Sequence, residues 1–220
     1  MHFKILVEDI SGKRSLDILI PKIIDIDSGK NTFEVHSYKG IGQIPKNMTS
    51  VVDASKRQLL NLLPGLLKGH GKTFEGYGND YPIVLFIIVD LDNKCLANFK
   101  QELLDILNTC DPKPLTKFCF SIEEGEAWFL GDINAIKTAY PSAKDRVLNG
   151  YINDSICGTW ELLADALYTG GHQALKSEGW MRAGEEKSEW AKNISPHMDV
   201  QNNKSPSFCY FRDKLQELEA

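Results

Sequence analysis

The chain has 220 residues, of which 42% are hydrophobic and 25% charged, with a net charge of -5 and a pI of about 5.6. This is the composition of a globular protein with a core. It excludes a strongly basic nucleic-acid binder, but not an acidic one that holds phosphate through bound cations. Five cysteines without a C-x-x-C pair argue against a zinc site and predict reduced thiols in a cytoplasmic protein. No apolar run is long enough to span a membrane, and a strand pattern directly after Met1 predicts no signal peptide.

Hydrophobic periodicity predicts strands that alternate with helices along the first 140 residues. Pro21 and Pro64 are expected to weaken or kink two of these helices. In chain order the predicted elements are a strand at 3–8, a turn at 9–12, a helix at 15–24, a strand at 32–38, a helix at 53–68, a loop at 69–81, a strand at 82–89, a helix at 93–108, a strand at 118–122 and a helix at 128–139.

This order of elements predicts an α/β fold, with a mostly parallel sheet flanked by helices and right-handed crossovers. After about residue 140 the pattern becomes helical and polar, with helices expected at 160–168 and 207–218 and an irregular stretch at 170–199. We therefore predict an α/β core over residues 1–140. A mainly helical extension over residues 141–220 is expected to pack on that core.

Acidic residues follow three of the predicted strands. Glu8 ends the first strand, Asp90 and Asp92 follow the fully apolar strand at 82–89, and Glu126 lies in an acidic cluster after the strand at 118–122. Burying an unpaired charge is costly, so carboxylates at strand ends usually hold a cation or do acid–base chemistry. In an extended segment, the spacing of Asp90 and Asp92 places both on one side. Mg²⁺ or Mn²⁺ is the natural match for such oxygen donors.

Each of these residues also has a purely structural interpretation. Asp92 could cap the helix that follows it. Glu8 and Glu126 could simply belong to acid-rich helix N-termini. Lys39, in the turn after the second strand, is either a catalytic residue that stabilises charge on a phosphate or an exposed turn lysine.

The C-terminal region leaves similar alternatives open. Three lysines either contact phosphate or lie in solvent, and three tryptophans either pack inside or, if exposed, stack on bases. These residues are Lys187, Lys192, Lys204, Trp160, Trp180 and Trp190. The chain has no Walker-type loop and no convincing Ser-His-Asp or Cys-His motif, so ATP hydrolysis and nucleophilic catalysis are not expected.

A glutamate after the first strand, followed later by Asp-x-Asp after an apolar strand, resembles the signature of the TOPRIM fold. That fold occurs in topoisomerases, primases and nucleases of the overcoming-lysogenization-defect (OLD) type. More specifically, most of the chain is similar to the TOPRIM-like domain of unknown function 4276. The matching stretches are residues 6–8, 36–40, 89–95, 124–132 and 203–208, of which Glu-x-Glu-Ala-Trp and Asn-x-Ser-x-Ser-Phe are the more specific.

The resemblance implies a TOPRIM-like, Rossmann-like sheet and a Mg²⁺-dependent nuclease that acts on DNA or RNA. By this analogy Asp90 and Asp92 bind the metal, Glu8 is an acid–base residue or a further ligand, and Glu126 completes the set. The family also implies the toxic effector of a bacterial anti-phage system that works with an ABC-type, OLD-like ATPase. The sequence is compatible with a monomer or a homodimer.

The chain departs from the family pattern directly after Glu8. Asp9 stands where related domains usually have Gly, and Gly12 stands where a second acid would fall. This departure leaves open whether one or two metals bind. It also motivates an alternative, in which the chain is a catalytically inactive binding or scaffold subunit of such a complex.

Overall fold

The computed structural model describes residues 1–45, 54–78, 81–155 and 157–219. Within these residues four strands form one sheet: β1 (His2–Val7), β2 (Thr32–Ser37), β3 (Ile83–Asp90) and β4 (Thr116–Ser121). The strand order is β2-β1-β3-β4, and every neighbouring pair is parallel. The predicted α/β fold, with a parallel sheet flanked by helices, is therefore confirmed.

The described residues contain ten α-helices, which connect the strands and form most of the chain after β4. They are α1 (Ile10–Ile23), α2 (Leu59–Tyr77), α3 (Leu96–Asn108), α4 (Glu126–Leu130), α5 (Ile133–Ala139), α6 (Asp145–Leu148), α7 (Thr159–Leu167), α8 (Gly171–Ser177), α9 (Trp180–Ile194) and α10 (Pro206–Gln216). Among the described residues, no helix is both long and apolar enough to cross a membrane.

The side chains of each strand alternate between the two faces of the sheet, and helices cover both faces. Along β3, Phe86 belongs to a cluster with α1 and the C-terminal helices, whereas Ile87 belongs to a second cluster with α2 and α3. Trp190 of α9 and Phe211 of α10 lie in the first cluster beside Phe3 of β1. The C-terminal helices therefore share one core with the sheet.

Helix α1 begins earlier than the sequence suggests, so the turn predicted at residues 9–12 is wrong. Asp9 is its N-cap, and the side chain of Asp9 accepts a hydrogen bond from the Gly12 amide at 2.7 Å. This is the usual way to satisfy a free amide of the first helical turn. Pro21 lies inside the last turn of α1 without ending it before Ile23.

Two further predictions are wrong because glycines and charged residues were interpreted as signs of irregular structure. Helix α2 continues to Tyr77 through residues predicted as a loop, and α8 and α9 replace most of the stretch predicted as irregular at 170–199. The predicted helix at 128–139 is two short helices, α4 and α5, separated at Gly131 and Asp132. The predicted start of α2, at residue 53, lies outside the described residues.

Two glycines of α2 give a matched pair of stability predictions. A Cβ at Gly71 would overlap the carbonyl oxygen of Pro112, whereas a Cβ at Gly69 would meet no atom within 4 Å. We expect Gly71→Ala to lower the free energy of unfolding by about 1–3 kcal/mol through this overlap. Gly69→Ala should raise it by about 0.5–1 kcal/mol, since alanine favours a helix. Urea unfolding of both variants tests this, and equal effects would contradict the close contact.

Candidate functional site

The acidic residues predicted at strand ends come together where three strands finish. Glu8 follows β1, Asp90 ends β3, and Glu124 and Glu126 follow β4 at the start of α4. Because β1, β3 and β4 are adjacent and parallel, their carboxyl ends lie at one edge of the sheet. The Asp90 amide donates a hydrogen bond to Glu8 Oε2 at 3.4 Å, which links the first two strand ends directly.

Four of the acids line one small cavity at this edge. Glu8, Asp9, Asp90 and Glu126 surround a volume of about 40 Å³, together with Lys187, three serines and apolar side chains of β1, α1, β3 and α4. This space suits an ion or a few water molecules. A substrate as large as a nucleotide would have to lie across its opening.

Lys187 supplies the cation of this cavity. Its Nζ lies 3.1 Å from Glu124 Oε2 and 3.3 Å from Glu126 Oε2. Its side chain is only 20% exposed. This position excludes a solvated surface residue, whereas a contact of Lys187 with phosphate stays a prediction. Among the described residues that line the cavity, Lys187 is the one with a cationic side chain.

A signal for Lys187 was present in the sequence. Within α9 the residues Ala183, Trp190, Ala191 and Ile194 are buried, and Lys187 falls on the same stripe, four residues after Ala183. A lysine on the buried face of a helix needs an anionic partner. The signal was missed because residues 170–199 were not predicted to be helical.

Burial and mutual repulsion disfavour the ionised carboxylates. The pKa of Glu8 rises to about 7, mainly through burial and then through the charge of Asp9. The pKa of Asp90 is raised well above its usual value by burial and by Glu8, although Lys187 opposes the rise. In both cases burial is the largest cause of the raised pKa, since it disfavours the charged form.

The carboxylates that contact Lys187 behave in the same way. The pKa of Glu124 rises to about 8 and that of Glu126 also rises, in both cases because of burial and against the effect of Lys187. Burial opposes the charge on Lys187, but the acids around it, first Glu126 and then Glu124, outweigh this and raise its pKa. One ammonium therefore only partly neutralises the cluster.

The donor set fits the predicted Mg²⁺ or Mn²⁺ in its chemistry. Glu8, Asp90 and Glu126 offer only carboxylate oxygens, which these hard ions prefer, and burial raises the pKa of all three. The described residues contain no group of three or more Asp, Glu, His or Cys already arranged to hold an ion. At the acids that follow β4, the ammonium of Lys187 makes the cationic contacts instead.

Asp92 lies apart from this cavity. It has a backbone φ of +48°, and its 44% exposed carboxylate pairs with Lys94 at 2.7 Å. The chain is therefore not extended at this residue, and Asp90 and Asp92 do not face one point as the spacing suggested. Asp92 does not cap α3 either, since that helix begins after Cys95. Asp92 still adds to the negative charge that acts on Glu8.

Lys39 lies beside the site through its backbone. Its amide donates to the carbonyl oxygen of Arg57 at 2.9 Å, and the next amide, that of Gly40, donates to the carbonyl oxygen of Glu8 at 2.8 Å. The Lys39 side chain is exposed and does not line the cavity. Its catalytic role stays a prediction.

The two motifs that suggested the family have different positions. Glu126 of Glu-x-Glu-Ala-Trp lines the cavity. The Asn-x-Ser-x-Ser-Phe stretch does not line it, but forms hydrogen bonds with α4. Asn203 Nδ2 donates to the carbonyl oxygen of Trp128 at 2.9 Å, and Trp128 Nε1 donates to Ser207 Oγ at 3.0 Å. This stretch therefore holds the helix that carries Glu126.

Glu123 has a structural role at the other side of the same acidic stretch. Its Oε2 accepts hydrogen bonds from the amide of Gly158 and, at 2.9 Å, from the amide of Thr159 at the start of α7. This satisfies free amides of a helix N-terminus. The interpretation as an acid at a helix N-terminus applies to Glu126, which lies in the first turn of α4, and also to Glu123, which serves α7.

Gly12 has a steric reason to remain glycine. A Cβ at this residue would lie 2.6 Å from Val7 Cγ2 and 3.1 Å from Asp9 Oδ1. A second acid at this place would therefore displace the end of β1 or the cap of α1. The departure from the family pattern is built into the packing between strand and helix.

The tryptophans divide between the two alternatives. Trp160 and Trp190 are buried, as expected for packing residues, but Trp180 is 79% exposed at the start of α9. The Trp180 ring lies 6.4 Å from that of Trp160, and Lys176 Nζ lies 5.1 Å from the Trp160 ring. Trp180 is therefore the exposed tryptophan of the second alternative, and its stacking on bases stays a prediction.

The raised pKa values predict that the metal-free protein loses stability between pH 6.5 and 8.5. Glu8 and Glu124 are ionised in the unfolded chain throughout this window, but in the fold they lose their protons only near pH 7 and 8. Since the folded state binds more protons, stability must fall as pH rises. Burial lowers the pKa of His70 to about 4. This group makes stability rise with pH, but mainly below its ordinary pKa of 6.5. Urea unfolding without metal should show the fall, with a shallower one for Glu124→Gln, and a rise would contradict it.

Comparisons of the chain with protein-family models, with curated proteins and with solved structures found no match. The resemblance to TOPRIM-like domains therefore stays a prediction from the motifs. Any assignment of function depends on the site itself, whose main features are acids from three strand ends and one lysine from α9.

Proposed function

We propose that this chain is a Mg²⁺- or Mn²⁺-dependent phosphodiesterase that hydrolyses DNA or RNA at the carboxyl edge of its sheet. One observation carries the proposal. Carboxylates from three adjacent strand ends are gathered, partly or fully buried, around a single ammonium, and their pKa values are raised. A fold has little reason to gather such charges for stability, because each is costly to enclose.

Glu8, Asp90 and Glu126 would hold the ion, since all three line the cavity. A bound divalent ion supplies positive charge for the phosphate and lowers the pKa of water. As an alternative to this ligand role, Glu8 would act as the general base that takes a proton from the attacking water. The phosphate would lie across the opening of the cavity, where exposed Lys39, next to the backbone partner of Glu8, is proposed to contact it.

The family resemblance extends this proposal to a biological setting. We propose that the chain is a TOPRIM-like nuclease of the domain-of-unknown-function-4276 group, located in the cytoplasm, and the toxic effector of an anti-phage system. In that setting it works with an ABC-type, OLD-like ATPase, alone or as a homodimer. The support is the set of motifs around Glu8, Asp90 and Glu126, which are the residues that line the cavity.

A nuclease assay tests the proposal. Wild type is incubated with plasmid, linear and single-stranded DNA, with tRNA and with total RNA, in Mg²⁺ or Mn²⁺, and compared with Glu8→Gln. We expect metal-dependent cleavage by wild type and a loss of at least about a hundredfold in Glu8→Gln, the size expected of a lost general base. The control variant Asp145→Asn changes a side chain that is 61% exposed in an ion pair, and it should cleave as wild type does. Activity that persists in EDTA would contradict the metal mechanism.

A second function, a catalytically inactive binding or scaffold subunit, is favoured by the cationic contacts already present. Lys187 contacts Glu124 and Glu126, and Lys94 contacts Asp92, so three of the acids already have a partner. An inactive subunit should bind neither Mg²⁺ nor Mn²⁺. Thermal unfolding with and without each ion separates the two functions, since an ion that binds only the folded state must raise the melting temperature.

A further inference from the structure

Lys187 is held in the acidic cavity from two directions. Its ammonium contacts Glu124 and Glu126, while its backbone carbonyl accepts a hydrogen bond from Ser11 Oγ of α1 at 3.0 Å. Helix α9 is anchored further along by Trp190, which is 1% exposed. The lysine is thus placed by the core of the protein, and its position is not that of a mobile surface side chain.

The ammonium contacts Glu126, an acid that a divalent ion would need. Glu126 Oε2, which accepts from Lys187, belongs to the carboxylate that also lines the cavity with Glu8 and Asp90. A volume of about 40 Å³ leaves little room for both an ion with its waters and the present lysine contacts. Two positive charges a few ångströms apart also repel strongly in a partly buried site.

We propose that Lys187 is a built-in counter-ion that competes with the divalent ion, so that metal binds as the ammonium gives up its contacts with Glu124 and Glu126. This inference rests on the proposed function, because it concerns the affinity of that same site. Without metal, the lysine keeps the acids partly neutralised. With metal, its positive charge opposes the ion and weakens binding.

Mn²⁺ binding measured by calorimetry and by electron paramagnetic resonance tests the inference without any assay of activity. Lys187→Met keeps much of the side-chain length and removes the charge. We expect it to bind Mn²⁺ about tenfold or more tightly than wild type, because a like charge a few ångströms from the ion is gone. Lys187→Arg keeps the charge and should stay close to wild type. Lys192→Met, at a 64% exposed lysine of the same helix, should leave the affinity unchanged.

A second pair of variants covers the case in which Lys187→Met does not fold. Glu124→Gln and the double variant Glu124→Gln/Lys187→Met differ by the same lysine, but the double variant removes one carboxylate together with the ammonium. The double variant should again bind Mn²⁺ about tenfold or more tightly than Glu124→Gln alone.

The outcomes separate this inference from the proposed function. Tighter binding without the lysine supports both. Equal or weaker binding without the lysine overturns the competition while leaving a metal site in place. No binding of Mn²⁺ to wild type or to any lysine variant overturns both the metal-dependent activity and the competition.

Discussion

Asp90→Asn is expected to abolish metal-dependent cleavage and, at the same time, to make the metal-free protein more stable. Asp90 ends the central strand β3 and lines the cavity, so its carboxylate is the proposed ligand that the sheet places most directly. Burial and Glu8 disfavour its charge, as the raised pKa shows. The amide of Asn has nearly the same shape, removes that charge and can donate a hydrogen bond to a neighbouring acid.

The two effects have opposite signs, which makes the prediction sharp. We expect cleavage to fall by about a thousandfold or more, as when a central catalytic group is removed. We also expect the free energy of unfolding at pH 8 to rise by on the order of 1 kcal/mol, the usual size of the effect of one substitution, because the charge that burial and Glu8 disfavour is removed. Asp145→Asn, at an exposed ion pair with Lys137, should change neither quantity appreciably.

Cleavage assays and urea unfolding in EDTA measure the two quantities on the same protein. A variant that loses both activity and stability would show Asp90 to be a structural residue whose removal damages the sheet. A variant that gains stability and keeps full activity would remove Asp90 from the site. Only the combination of lost activity and gained stability fits a residue kept for chemistry at a cost to the fold.

The sheet and three of the candidate site residues could be predicted from the sequence because of local patterns. Strand β3 is a continuous apolar run, the pattern of a strand buried on both faces, and it ends at Asp90 as expected. Once the strands are parallel, their carboxyl ends must meet, which brings Glu8 and Asp90 together, whereas Glu126 reaches the same edge at the start of α4.

The remaining features depend on contacts between distant parts of the chain. Asp92 turns away because of a left-handed backbone conformation, which a non-glycine residue rarely adopts and which the spacing of two aspartates does not reveal. Lys187 reaches the site only because α9 packs against α1, through a contact between residues 176 positions apart. Charged residues and one glycine in α9 concealed the helical pattern, so the position of the lysine was missed as well.

Lys187→Met should destabilise the metal-free protein, and more so at high pH. Removing one partner of a buried charge pair typically costs about 3–5 kcal/mol, because the other charges are left uncompensated. Here the side chain is 20% exposed and two carboxylates lose their contact. We therefore expect a loss of about 2–4 kcal/mol in the free energy of unfolding at pH 8.

The dependence on pH follows from the acids that the lysine faces. Without the ammonium, Glu124 and Glu126 gain protons more readily in the fold, so their pKa values rise further above those of the unfolded chain. The folded variant then binds more protons than the folded wild type, and its stability falls more steeply as pH rises. At pH 5.5 the acids of the variant are largely protonated, and we expect the difference from wild type to be clearly smaller than at pH 8.

Urea unfolding of wild type, Lys187→Met and Lys192→Met at both pH values, in EDTA, measures this difference. Groups far from the cavity, such as His70, contribute equally to wild type and variant and cancel in the comparison. Lys192→Met should match wild type. The side chain of Lys192 is 64% exposed, and its one ion pair, with Glu189, is long at 3.9 Å. A loss of stability independent of pH would mean that Lys187 acts through the packing of its hydrocarbon chain. Its ammonium would then not be the charge that holds the acidic cluster together.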